Sequence, residues 1–270
     1  MELFDTHCHI QSAGLSEGER STRDMWAKAG NTSVDEIIDR AREAGVARMI
    51  CVGCDVDDSQ LALETAKDRE NLYASIGIHP HEAQRYVSDE AEKTRFSQLA
   101  EHEKVIAVGE CGLDYFYTHS SKEAQVEILK FQLELGQKHD LPMIFHVREA
   151  FDDFWPIFEQ FSGVRGVLHS FTDSIDNMQR AVAQGLYIGV NGIATFAKSE
   201  SQLAMYKAIP LENLVLETDA PFLTPVPFRG TICEPKHIAL TAQFLADLRG
   251  ESVEELARTT TQNARKLFNV

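Results

Sequence analysis

Basic residues are scarce in this 270-residue sequence: 26 Lys and Arg stand against 42 Asp and Glu, a formal net charge of -16. Such a chain repels polyanions at long range, so a nucleic acid, if it is the substrate, is not held by a basic surface. The sequence has no run of about 18 uninterrupted apolar residues and no opening basic segment followed by an apolar stretch, so neither a membrane span nor a secretory signal is expected. A cytoplasmic location without membrane association is the default. Cysteine is sparse too, five in all. Cys8, Cys51 and Cys111 lie in apolar, strand-like stretches where a reduced thiol acts as a small hydrophobe. Cys51 and Cys54 form a C-x-x-C, but no second pair completes a zinc site, so packing is the expected role. No G-x-G-x-x-G follows the first apolar stretch, which argues against a doubly wound dinucleotide fold, and no repeat or Pro/Gly-rich linker marks a domain boundary.

What the sequence does have is alternation. Eight short apolar runs, "LFDTHCHI", "RMICVG", "LYASIGIHP", "VIAVGE", "PMIFHV", "RGVLHSF", "YIGVNG" and "LVLETDAP", read as strands. Between and after them lie amphipathic stretches such as "SVDEIIDRAREAG", "SQLALETAKDRE", "SSKEAQVEILKFQLELGQKHD" and "SIDNMQRAVAQG", several opening on Ser or Asp caps, with Gly45 and Gly185 as stops. Apolar strands joined by crossover helices need a parallel sheet covered by those helices, and eight such units are the count of a (β/α)8 TIM barrel. The expected fold class is therefore α/β, a single TIM-barrel domain over residues 1–270. The polar segment from Gln11 to Ser33 reads as a long first loop.

In a barrel, residues two apart on a strand share a face. That rule groups Asp5, His7 and His9 on the first strand, and puts Glu110, His146, His169 and the pair Glu217/Asp219 at the C-terminal ends of strands four, five, six and eight. Active sites of these barrels lie at that end. A lone strand histidine is usually a hydrogen-bonded core residue, but His7, His9, Glu110, His146, His169 and Asp219 in one phase are hard to explain by packing. Burying such a cluster uncompensated costs several kcal/mol per ionised group, on the order expected for unpaired charge, whereas neutral imidazole and carboxylate are ordinary donors to divalent metal. Six donors are too many for one tetrahedral ion and suit two ions sharing a carboxylate, for which Glu110, in the middle of the strand order, is the natural bridge. Two such ions leave a local positive charge able to attract phosphate on an acidic protein.

The motifs "THCHI", "GIHPH", "VGECGLDYF", "PMIFHVREAF", "GVLHSFTDS" and "LETDAPFLTP" followed by "RG" occur in this order along nearly the whole chain and resemble the TatD family of metal-dependent hydrolases, within the amidohydrolase-like barrels. The resemblance implies that His7, His9, Glu110 and Asp219 bind one metal and Glu110, His146 and His169 the other. It also implies a deoxyribonuclease, trimming DNA ends through a water activated by two divalent ions, with Asp219 and Glu110 as catalytic residues. The metal identity is open among Zn, Mn, Mg, Ni, Co and Fe. The chain departs from the usual pattern in "LHSFTDS", "ICEP" and the long first loop, none of which touches a proposed ligand.

Arg148 and Arg229 are candidates for holding a phosphate, or are solvated charges, and His79 and His81 for contacting substrate, or for a rigid turn beside Pro80. Asp114, Asp5 and Glu217 are expected to orient the ligands. Tyr115, Phe116, Tyr117, Phe222 and Phe228 could stack on bases of a single strand or cap the barrel mouth. The expected partner is transiently bound DNA, single-stranded or at ends, with no obligate protein partner. The alternative is an ester or amide hydrolase acting on a small molecule or an aminoacyl-tRNA ester, since metal-activated water serves carbonyl centres as well as phosphorus.

Overall fold

A computed structural model of the chain describes residues 1–15, 21–30 and 32–270. Eight parallel strands alternate with helices: β1 (Leu3–Cys8), β2 (Val46–Val52), β3 (Leu72–Ile76), β4 (Val105–Asp114), β5 (Met143–Arg148), β6 (Gly166–Leu168), β7 (Tyr187–Val190) and β8 (Leu214–Leu216). They belong to one sheet in the order β1-β2-β3-β4-β5-β6-β7-β8. The helices are α1 (Ser21–Lys28) and α2 (Val34–Glu43) after β1, α3 (Val56–Lys67) after β2, α4 (Ala83–Tyr86) and α5 (Glu90–Leu99) after β3, and α6 (Lys122–His139) after β4. Then follow α7 (Phe151–Phe158), α8 (Ile175–Ala183) and α9 (Glu200–Ala208) after β5, β6 and β7, and α10 (Ile238–Arg249) and α11 (Val253–Phe268) after β8. The fold class is the (β/α)8 barrel that the alternation predicts.

The chain forms two compact units. The first comprises Met1–Cys51 and Ser170–Lys266. Within it β1 lies beside β2, with Leu3 opposite Val46 and Cys8 opposite Cys51. The first and last strands meet there as well: Cys8 bridges Ala220 in parallel, and the Thr6 hydroxyl donates to the Leu216 carbonyl at 3.0 Å. That contact closes the strand order on itself, as a barrel requires. The second unit comprises Val52–His169 and Leu267–Val270 and carries β3 to β6. Its register slips between Val108 and Cys111 of β4, where three steps face the two from Met143 to Phe145 of β5. Such a bulge re-aims side chains beside it, here Glu110.

Capping follows from local sequence. The Ser33 side chain accepts from the Glu36 N–H while Glu36 reaches back to the Ser33 N–H, and Asp55, Asp89, Ser121 and Ser174 accept from the first turns of α3, α5, α6 and α8. Gly45 and Gly185 end α2 and α8 as expected, at φ +89° and +80°. The segment Gln11 to Ser33 is less loop-like than its polarity implies: it holds a 3-10 turn continuing to Ser12 and the helix α1. Residues 16–20 and 31 of that segment lie outside the described residues.

Candidate metal centre

In the first unit every residue of β1 is buried, so its polar side chains need internal partners. His7 and His9 turn their Nε2 atoms toward each other at 3.2 Å. The Asp219 Oδ1 atom lies 3.5 Å from the first and 3.3 Å from the second. Around a tetrahedral ion with bonds of about 2.1 Å, neighbouring donors stand about 3.4 Å apart. These three edges match that spacing, so the donor set fits a divalent cation. Asp219 reaches the spot from a left-handed backbone, φ +61°, held by its N–H donating to the His7 carbonyl at 2.8 Å and its carbonyl accepting from Phe222 N–H at 2.8 Å. One step away, Asp5 accepts from the Thr218 hydroxyl at 2.6 Å, the Thr218 N–H at 2.9 Å and the His7 N–H at 3.3 Å. Burial pushes its carboxyl up to about 8 against these bonds. Glu217 accepts from the Ser170 N–H at 2.6 Å. Sequence reasoning gave no role to Trp26, yet its indole N–H donates to the His9 carbonyl at 2.8 Å from α1.

The second unit carries the other donors around Glu110, which is 5% exposed. Its Oε1 lies 3.4 Å from His169 Nε2 and 3.5 Å from His79 Nε2, again the spacing of ligands on one ion, and 2.7 Å from His146 Nδ1, a hydrogen bond. The Cys54 thiol points at Oε2 from 3.9 Å. His79, expected at the substrate, is thus beside Glu110, and His79, Glu110 and His146 together could hold a metal ion. Burial takes the His79 imidazole down to about 4 although Glu110 favours its charged form, so at neutral pH it carries the lone pair that a ligand needs. Gly77, just past β3, is required by close approach: a Cβ there would sit 2.3 Å from the Glu110 nitrogen and 2.4 Å from the Gly109 carbonyl carbon.

Asp114, at the end of β4 and 1% exposed, ties this set together. Its Oδ2 is 3.2 Å from His146 Nε2 and 2.9 Å from His81 Nε2, while Oδ1 accepts from the Phe116 and Tyr117 N–H groups at 3.0 and 3.1 Å. Burial raises its proton affinity, but hydrogen bonds from His146, His81 and the Tyr117 N–H outweigh it and hold the carboxyl well below the usual range. His146 shows the reverse balance: burial lowers its basicity, and its bonds to Asp114 and Glu110 raise it above that of free imidazole. Of the expected phosphate contacts, Arg148 lies over the Phe116 ring at 4.0 Å in the second unit, and Arg229 over the Phe196 ring at 4.2 Å in the first.

Comparison with known proteins gives this chemistry a lineage. The family model described as TatD related DNase matches residues 4–269. The chain is 34% identical over 270 residues to an uncharacterized metal-dependent hydrolase, YabD, of Bacillus subtilis, covering 99% of each. It is 37% identical over 244 residues to the 3'-5' ssDNA/RNA exonuclease TatD of Erwinia amylovora, covering 87% of this chain and 93% of the relative. Among solved structures, the TatD homologue YJJV of Escherichia coli superposes with a TM-score of 0.84 at 30% identity, covering 99% of this chain and 98% of that one. The strand-end histidines and carboxylates, the barrel topology and these similarities agree: the chain belongs to the TatD family of metal-dependent hydrolases.

Proposed function

We propose that this hydrolase removes nucleotides from the ends of single-stranded DNA, using two divalent metal ions held by His7, His9, Asp219, Glu110, His146 and His169, in a cytoplasmic setting. The observation that carries the reading is the spacing of imidazole nitrogens and carboxylate oxygens at 3.2 to 3.5 Å among His7, His9 and Asp219, repeated where His169 faces Glu110. Divalent ions would supply Lewis acidity and a lowered pKa for water. Sharing of Glu110 by both ions is the expectation of the family resemblance. The chain's own residues supply orientation and proton transfer. Asp219, whose side chain is 14% exposed while His7 and His9 are nearly sealed, is the carboxylate placed to take the proton of an attacking water at its Oδ1. His81, fixed by Asp114, contacts the substrate. Five free thiols fit a reducing compartment.

The test is cleavage of end-labelled single-stranded DNA by chelator-stripped protein with Zn2+, Mn2+, Mg2+, Ni2+, Co2+ or Fe2+ restored one at a time. Turnover with at least one ion is expected. Silence on DNA with every ion, alongside turnover of carboxylic esters or of aminoacyl-tRNA, would sink the reading in favour of carbonyl chemistry. Replacing Glu110→Ala is expected to lower activity by a factor of about 100 or more and to reduce bound metal per chain. A fully loaded and active variant would refute its assignment as a shared ligand.

A further inference from the structure

In a chain so rich in carboxylates, most arginines find one: Arg40 pairs with Glu234, Arg95 with Asp57, Arg165 with Asp140 and Arg249 with Glu251. Arg148 is different. Its guanidinium lies 4.0 Å from the centre of the Phe116 ring and 5.1 Å from that of Tyr117, with no carboxylate partner among the described residues. The two rings meet edge to face, 4.8 Å apart at 85°. They are also uncovered: Phe116 is 49% exposed and Tyr117 43% exposed. Lys122, the first residue of α6, sits 3.8 Å over the Tyr115 ring. Exposed rings clustered beside cations that have no carboxylate partner are the makings of an interaction site.

The patch is mechanically joined to the metal donors of its unit. Asp114 holds His146 and His81 with one carboxylate oxygen and the Phe116 and Tyr117 backbone with the other. Arg148 is the register partner of Asp114 and stands two residues after His146 on β5. Aromatic faces beside a guanidinium plane are what an unstacked base with its phosphate recognises, and stacking accepts any base. A duplex keeps its base faces buried against one another and presents none to such rings.

We propose that Phe116 and Tyr117 form a stacking platform for a base of a single-stranded nucleic acid, with Arg148, laid on the Phe116 ring, taking the adjoining phosphate. This deepens the nuclease reading and rests on it for the direction of the strand, but its test does not need catalysis. Fluorescence anisotropy in chelator compares a labelled thymidine strand of about 12 nucleotides with an abasic strand of equal length. The wild-type protein is expected to bind the thymidine strand about tenfold more tightly, and the double substitution Phe116→Ala, Tyr117→Ala to bring the ratio close to one. Phe116→Trp keeps the preference, which separates stacking from damage to the loop, and circular dichroism checks the fold of each variant. Arg148→Gln weakens both strands alike, because both carry phosphates. Equal binding of the two strands by wild type, a preference that survives the double substitution, or duplex binding as tight as single-strand binding would each overturn the platform. Preference for the base-bearing strand without cleavage by any metal form would support the platform while defeating the nuclease reading.

Discussion

Asp114 serves two tasks with one carboxylate, orienting His146 and His81 through one oxygen and fixing the start of the aromatic loop through the other. Its folded-state pKa is depressed, so the stability it contributes is present above the ordinary carboxylate value of about 3.9 and is lost as pH falls through the lower folded value. Asp114→Asn is therefore expected to cost about 2 kcal/mol at pH 7, with the gap to wild type narrowing below about pH 4. Urea unfolding of metal-free protein at both pH values checks this; a gap that is unchanged or widens in acid would contradict it. That His7, His9 and Asp219 gather in one unit, and His146 and His169 around Glu110 in the other, was legible in the sequence because strand phase is a strict period of two and side chains at the same end of neighbouring strands converge. The direct hydrogen bond between His146 and Glu110 was not legible, since it depends on the β4 bulge that shifts register between Val108 and Cys111. Nor did spacing show that His79 faces Glu110, because the residues after β3 leave the sheet in a turn whose path is tertiary.

At the scale of elements, all eight strands were legible as apolar runs, and β4 alone ran well beyond its expected end, by four residues to Asp114. Four helices were not legible. In α7 the sequence "FDDFWPIF" is short, carries its exposed face on only Asp152, Asp153 and Pro156, and has a proline inside it; it is helical with Phe154 and Phe158 packed on Phe145 of β5. The helices α4 and α5 have weak apolar stripes, and α1 is dominated by polar residues apart from Met25, Trp26 and Ala27. Gly77 tests how tightly the end of β3 presses on β4. Gly77→Ala places a methyl group against backbone that has nowhere to retreat, so a destabilisation of about 2 to 3 kcal/mol is expected, together with weaker metal retention. Denaturant unfolding and metal content after dialysis measure the two effects; a variant with wild-type values in both would show that the strands separate freely.

For the whole molecule the decisive quantity is the charge of -16. It leaves no basic surface for a nucleic acid, and on the proposed platform the cations that face phosphate would be those resting on rings. No helix among the described residues is long and apolar enough to cross a membrane. If Arg148 and Lys122 are the cations that face phosphate in the second unit, single-strand affinity should fall only gently with salt, with a log-log slope of about -1.4. Anisotropy titrations across a salt series measure that slope, and a value steeper than about -4 would mean that many more cations engage the strand. The two tryptophans of the chain are distributed one to each compact unit, Trp26 bonded to the carbonyl of His9 and Trp155 inside the phenylalanine cluster of α7. The indole that secures β1 is thereby an optical probe as well: with Trp155 exchanged for phenylalanine, the emission of a single fluorophore would follow cation arrival at His9, with no label added.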